Sequence, residues 1–204
     1  MNLFVLGATG AIGKHLLDIG LERGHRVTSY VRSPRKIHRA HERLKVIQSD
    51  IFGADQMAHS LAGHDAILSA FGPATIRSTT LRREFGRALA AAMRKSDVRR
   101  AQIVSAAFLF PDIGFFGGIL KATLFRGMIP DMAGMEAEVS QRDLDWTIVR
   151  PPRLTNGPIT DSYRIMNSAL PPGGFYISRT DVARFIIGEA EKPAHVQQIV
   201  GLAE

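Results

Sequence analysis

Cysteine is missing from all 204 residues, which excludes a disulfide framework, thiolate catalysis and a Cys-ligated metal and fits a reducing compartment. Long hydrophobic runs are missing too. The apolar stretches stop short of the roughly 18–20 residues that a membrane span needs, and Met1 leads within one residue into a strand-like run rather than a leader, so the chain is expected in the cytoplasm. Tyrosine is scarce, and none of its three occurrences has a lysine four places on: Tyr30 is followed there by Pro34, Tyr163 by Asn167 and Tyr176 by Thr180. That removes the Tyr acid with a neighbouring Lys, and with it ordinary alcohol-dehydrogenase chemistry. A metal is not expected, because no carboxylate or third histidine forms a convincing set with His38 and His41 in "HRAH", and zinc wants three or four convergent ligands. Internal repeats, heptads and low-complexity tails are also absent.

Positive charge is plentiful, at a formal +7 and a pI of about 10.2. The basic residues are dispersed over "VRSPRKIHRAHER", "IRSTTLRREFGR" and "RKSDVRR", with no aromatic platform between them, so nucleic acid is not expected as a partner. The second and third groups fall on an amphipathic helix and its exit and read as solvated surface.

With 45% hydrophobic residues the chain can bury one core, and residues 1–204 read as a single domain. Apolar runs of about five residues alternate with helical patterns from end to end, which predicts an α/β fold: a Rossmann-type, doubly wound parallel sheet in three layers. The strands are read at "NLFVLG", "HRVTSYVR", "RLKVIQSD", "HDAILSAFG", "AQIVSAA", "DWTIVRPP" and "HVQQIVGL". Helices follow at "AIGKHLLDIGLERG", stopped by Gly24, and at "DQMAHSLAG", stopped by Gly63. A long helix carries Leu81, Phe85, Leu89 and Met93 on one stripe, another covers "MAGMEAEVSQRD", and a last one, "RTDVARFIIGEAEK", has Ser178 or Thr180 as its cap. Between strands five and six the rhythm breaks into aromatic and glycine-rich sequence with Pro111 and Pro130, where a lid is expected.

"FVLGATGAIG" sets Gly7, Gly10 and Gly13 at intervals of three straight after the first strand. Glycines at such a turn permit a tight bend, let main chain approach a pyrophosphate, and let the next helix sit against the strand. The helix start beyond them offers unpaired N–H groups and a positive dipole end to phosphate. A dinucleotide is therefore expected against Gly7, Thr9, Gly10, Ala11, Ile12 and Gly13.

"GATGAIG", "VTSYVRSPRK", the "SD" closing strand three, "AFGP" after strand four and "LDWTIVRPPRLTNGP" around strand six together resemble the atypical short-chain dehydrogenase/reductases, specifically the NAD(P)H-flavin reductase/biliverdin reductase B-like branch. The resemblance runs over nearly the whole chain. It implies that Asp50 and Ile51 border an adenine, that Ala70, Phe71 and Gly72 skirt ribose and phosphates, and that Arg150, Pro151 and Pro152 flank the nicotinamide. At the tip of strand two no acid appears to hold a ribose 2′-OH; Arg32, with Ser33 and the outer charges Arg35 or Lys36, suits a 2′-phosphate instead, so NADP, as NADPH, is expected over NADH. Arg32 as a plain solvated loop residue is the other reading.

Better-known members of the branch read Thr-Ser-Ala-Phe-Leu after strand five, and here "SAAFL" keeps Ser105 and puts Ala106 at the second hydroxyl. Ser105 is thus the candidate catalytic residue and a cofactor neighbour. Positions that carry pocket histidines in those members fall on Met132 and Glu136. Met132 and Met135 read as core or pocket wall. Glu136 reads as solvated surface or as a hydrogen-bonding partner of substrate. A substrate-side cap is expected over about 108–135 and 153–178, with Phe115 and Phe116 covering a planar substrate, meeting a partner or joining the core. The resemblance implies an NADPH-dependent reductase of a small planar conjugated acceptor such as a flavin or quinone, working as a monomer or homodimer. A non-catalytic NAD(P)-binding redox sensor is the alternative, and a sugar-nucleotide epimerase is disfavoured because it needs the Tyr acid and a larger C-terminal domain.

Overall fold

Alternation of short apolar runs with amphipathic stretches builds the fold in chain order. The computed structural model describes residues 1–73 and 78–204, except the side chains of Phe115 and Phe116. β1 (Asn2–Leu6), α1 (Ala11–Glu22), β2 (Arg26–Val31), β3 (Leu44–Gln48), α2 (Ala54–Leu61), β4 (Ala66–Ser69), α3 (Leu81–Arg94) and β5 (Arg100–Val104) make the first half. α4 (Gly114–Ala122), α5 (Ile129–Val139), β6 (Asp145–Arg150), β7 (Arg153–Thr155), β8 (Arg164–Asn167), β9 (Tyr176–Ser178), α6 (Arg179–Glu191) and β10 (Gln198–Ala203) complete it.

Eight strands form one sheet in the order β3-β2-β1-β4-β5-β6-β10-β8. All pairs are parallel except β10 with β8 at the edge. The winding reverses between β1 and β4, and in such sheets the crevice beyond the carboxyl ends at the reversal is where a ligand finds room. Side chains alternate across the sheet. Leu3, Val5, Val27, Leu68 and Val200 pack under α1 and α6, and Phe4, Leu6, Tyr30, Ile67 and Ile148 pack under α2, α3 and α5, giving helix, sheet and helix layers. The Rossmann-type α/β expectation holds.

Local signals hold where chemistry is specific. Gly24 and Gly63 stop their helices with φ of +84° and +77°, a conformation costly for any residue with a Cβ. Ser178 caps α6, its Oγ accepting from the Asp181 N–H at 3.0 Å. Three local readings change. Leu81 stands 37% exposed while Arg82 is buried, because Asp131 reaches from α5 to accept from the Arg82 and Arg83 main-chain N–H groups and from the Arg82 guanidinium. Arg100, read as surface, is buried against Glu189 at 3.3 Å; burial lowers its pKa, opposed by that carboxylate. The glycine-rich lid region contains a helix, α4, and the turn-rich stretch after β6 contains three short strands, β7 pairing with β9 and β8 with β10.

Candidate functional site

The glycines divide their labour sharply. Gly7 has φ +77°, and a Cβ there would stand 2.6 Å from the Ala70 carbonyl, so the first glycine lets the turn pass against the exit of β4. A Cβ on Gly13 would stand 2.1 Å from the Gly7 oxygen, so the third lets α1 lie on the turn itself. Gly10 differs: its Cβ would meet only the Gly7 oxygen at 3.1 Å and the Ala70 oxygen at 4.0 Å, and it and Ala11 face solvent. α1 starts at Gly10 with no side-chain cap, and Ile12 and Gly13 are buried just behind. Thr9 is half-buried on the turn. What remains at the head of the crevice is bare main chain at a helix N-terminus, a seat for an anion that needs close approach.

At the tip of β2, Tyr30 is fully buried and donates to the Ser49 Oγ at 2.7 Å, so it belongs to the core and not to the crevice. Arg32 is exposed with no carboxylate partner among the described residues, and Ser33 is half-exposed beside it. The segment after β2 wraps α1 and leaves a cavity of about 230 Å³ walled by Ala8, Lys14, Leu17, Lys36, Ile37 and His38. Asp18 and Arg39 close it and pair with each other at 3.5 Å. His41 lies away from this set, accepting from the Arg43 N–H through its Nδ1 at 3.0 Å.

The exits of β3 and β4 form the next wall. Asp50 is exposed and its Oδ1 accepts from the Phe52 N–H, with Ile51 half-buried between them. Phe71 turns inward and packs 4.6 Å from the Phe85 ring, while Ala70 presents main chain to Gly7 and a Cβ on Gly72 would meet no described atom within 4 Å.

Beyond β5 the chain stays with β6: the Ser105 N–H donates to the Val149 carbonyl at 2.7 Å and the Ala107 N–H to the Pro151 carbonyl at 2.9 Å. Ser105 is buried, yet its Oγ has no hydrogen-bond partner among the described residues, a state that costs free energy unless a ligand supplies one. Pro151 is buried and Pro152 half-buried at the same exit. Arg150 points to α5 and makes a bidentate pair with Glu136, at 3.0 and 2.5 Å. Its guanidinium lies 4.8 Å from the centre of the Phe110 ring. Glu136 is thus buried in an ion pair, not solvated surface, because Arg150 across the gap offers a matching fork. Met132 and Met135 are both buried, as pocket wall or core requires. In the expected cap, Phe108 stacks on Phe125 with ring centres 4.1 Å apart, and the expectation for the Phe115 and Phe116 side chains lies outside the described residues.

A family described as NAD(P)H-binding matches residues 7–193, from the first glycine to just past the end of α6. The chain belongs to this NAD(P)H-binding family. Uncharacterized protein YwnB of Bacillus subtilis (strain 168) is 28% identical over 209 residues, covering 96% of this chain and 94% of that one. Among solved structures, SP1627 of Streptococcus pneumoniae TIGR4, described as a candidate NADH-flavin reductase, superposes with a TM-score of 0.79 at 26% identity, over 100% of this chain and 99% of that one. A short-chain dehydrogenase/reductase of Veillonella parvula DSM 2008, solved in complex with NADP, shares the fold with a TM-score of 0.81 at 19% identity, over 100% and 94% of the two chains.

The fit of a dinucleotide to these residues rests on the uncapped, unobstructed main chain at Gly10 and Ala11 and on the orphaned Ser105 hydroxyl. Lys14, the place of His38 in the cavity wall and the pairing of Glu136 with Arg150 are what sequence reasoning missed. Lys14 stands one turn into a helix whose periodicity marks it as solvated, and the pair joins two positions whose partnership no local spacing announces.

Proposed function

We propose that the chain is an NADPH-dependent reductase that delivers hydride to a small conjugated acceptor, a flavin or a quinone, lying over the exits of β5 and β6. The observation that carries this reading is the orphaned Ser105 Oγ, buried at the exit of β5, two strands along the sheet from the open glycine seat after β1. The similarity to a candidate NADH-flavin reductase supports the acceptor class.

The bound dinucleotide supplies the hydride. The main-chain N–H groups of Ala11 and Ile12 hold its phosphates at the positive end of α1, and Gly10, whose own N–H donates to the Gly7 carbonyl at 2.9 Å, leaves room for their approach. Ala70 and Gly72 border the ribose side, with Asp50 and Ile51 at the adenine. The Ser105 hydroxyl donates to a carbonyl or amide oxygen at the nicotinamide end and fixes the ring face, while Pro151 and Pro152 form the opposite wall and keep water from it. None of the three tyrosines has a lysine at the spacing of a dedicated acid, so the acceptor is one whose conjugated ring takes hydride readily and draws its proton from water. Holding two flat rings in register is then the chain's main contribution.

The preference for NADPH is read from side chains. Arg32 and Ser33 at the rim, with Lys14, Lys36 and His38 around the adjoining cavity, offer an anion site in which the one acid, Asp18, already faces Arg39. A ribose 2′-phosphate suits that field and a bare 2′-OH leaves it unanswered. A redox sensor without turnover is favoured by Ala106 in place of the second hydroxyl and by the missing Tyr/Lys pair. NADPH oxidation followed by absorbance with FMN, riboflavin and a quinone panel tests the reading: turnover with one of them is expected, and tight NADPH binding with none moves the function to the sensor.

A further inference from the structure

The resemblance implies that Arg150 flanks the nicotinamide, and its side chain is engaged by α5 in a chain of contacts that leads to the cap. Its Nε and Nη2 are held by both oxygens of Glu136 on α5, with the two side chains only 12% and 7% exposed. Its guanidinium lies over Phe110, whose main-chain carbonyl accepts from the Lys121 Nζ of α4 at 3.0 Å. Two residues before Phe110, Phe108 stacks on Phe125 just beyond α4. One side chain therefore connects the exit of β6, the turn after Ser105, α5 and the α4 region.

A buried ion pair adds little net stability over well-packed apolar residues of similar size, since both charges lose their water. What a bidentate guanidinium–carboxylate pair does supply is fixed geometry: two parallel bonds and a flat face set distance and tilt together. We propose that Arg150, locked by Glu136, is a positioning residue that sets the Ala107–Phe110 turn and α4 above the exits of β5 and β6, and thereby governs acceptor affinity without touching the dinucleotide. The acceptor half of this statement rests on the reductase reading; the cap half does not.

Two variants separate positioning from plain stability. Glu136→Gln keeps the shape and removes the charge, while Glu136→Gln combined with Arg150→Met removes both charges and leaves no unpaired guanidinium. Hydrogen exchange, read on the purified full chain, is expected to speed up about tenfold in both variants across residues 107–125 and to stay unchanged in β1, β4 and β10. With NADPH and FMN, the KM for FMN is expected to rise about tenfold in both, with the Kd for NADPH within about twofold of wild type and kcat changed less than about threefold. The double variant is expected to melt close to wild type. If it regains wild-type exchange and FMN KM along with its melting temperature, the pair is only a stability feature and the proposal is overturned. A rise in NADPH Kd in step with FMN KM also overturns it, because that is general loosening. Should Glu136→Gln not fold, the double variant carries both readouts. If wild type binds NADPH and reduces no acceptor, the reductase reading fails, while unchanged exchange over 107–125 in the variants is what sinks the positioning role.

Discussion

Gly10→Ala and Gly13→Ala place one methyl group three residues apart, and the two are expected to damage different properties. At Gly13 the new carbon would stand 2.1 Å from the Gly7 oxygen and 2.7 Å from the Ala8 Cα, all main chain that cannot swing aside. α1 must lift off the turn, and overpacking of this kind costs roughly 1–3 kcal/mol or more, against at most about 1 kcal/mol regained from helix propensity. A net loss of about 2 kcal/mol lowers Tm by roughly 4–8 °C in a chain of this size. At Gly10 the backbone is extended, with φ −78° and ψ 172°, which alanine adopts freely, and the closest atom is 3.1 Å away. The weaker cap costs a few tenths to about 1 kcal/mol and the stiffer unfolded chain returns about as much, so Tm stays within roughly 3 °C. The same methyl occupies the approach of the pyrophosphate, and losing about 2 kcal/mol of contact there weakens NADPH binding about thirtyfold. Thermal unfolding followed by circular dichroism, paired with NADPH fluorescence titration, reads both quantities. Wild-type affinity in Gly10→Ala, or a loss of Tm there as large as in Gly13→Ala, refutes the division of roles.

Ser105→Ala removes a buried hydroxyl without a partner, so the free protein should melt about 2–4 °C higher, given the roughly 1 kcal/mol or more that such a group costs, while NADPH oxidation slows about tenfold; a lower melting temperature with unchanged rate contradicts both halves. Lys14→Met and Arg32→Ala should each reduce the ratio of NADPH to NADH affinity about tenfold, and competition by 2′,5′-ADP against ADP reads the same effect without turnover; an unchanged ratio in both removes the basic cavity and rim from cofactor choice. Burial lowers the pKa of His64 below its ordinary 6.5, its ring held by Thr28 and the Leu61 carbonyl. The unfolded chain then binds that proton more readily, so the stability is complete above about pH 6.5 and is lost as pH falls through the folded value. Melting temperatures at pH 7.5 and 5.5 should differ less in His64→Gln than in wild type, and an equal difference counts against this source of acid sensitivity.

Glycine, proline and apolar period carried the alternation of strands and helices, because each acts through its own backbone or its own face. Gly24 and Gly63 end their helices where the sequence places them, and Gly7, Gly10 and Gly13 announce the turn. Which glycine is left open was not legible, since two of the three answer to main chain, one of them at Ala70, distant in sequence. β8 escaped notice as four mixed residues between turns, held only by its pairing to β10, and α4 escaped because its glycines and aromatics speak against helix. Arg82, Arg100 and Glu136 look like surface on their own and are buried through Asp131, Glu189 and Arg150, partners supplied by tertiary contact.

Titration of the purified chain with NADPH and with NADH, followed by nicotinamide fluorescence, bears most directly on the reading of the crevice. Saturable one-to-one binding is expected, with a Kd of about 100 µM or tighter for NADPH and weaker for NADH. No association of either nucleotide at about 1 mM contradicts the crevice as a dinucleotide site, since that concentration stands at the upper end of the usual range of roughly 1 µM to 1 mM.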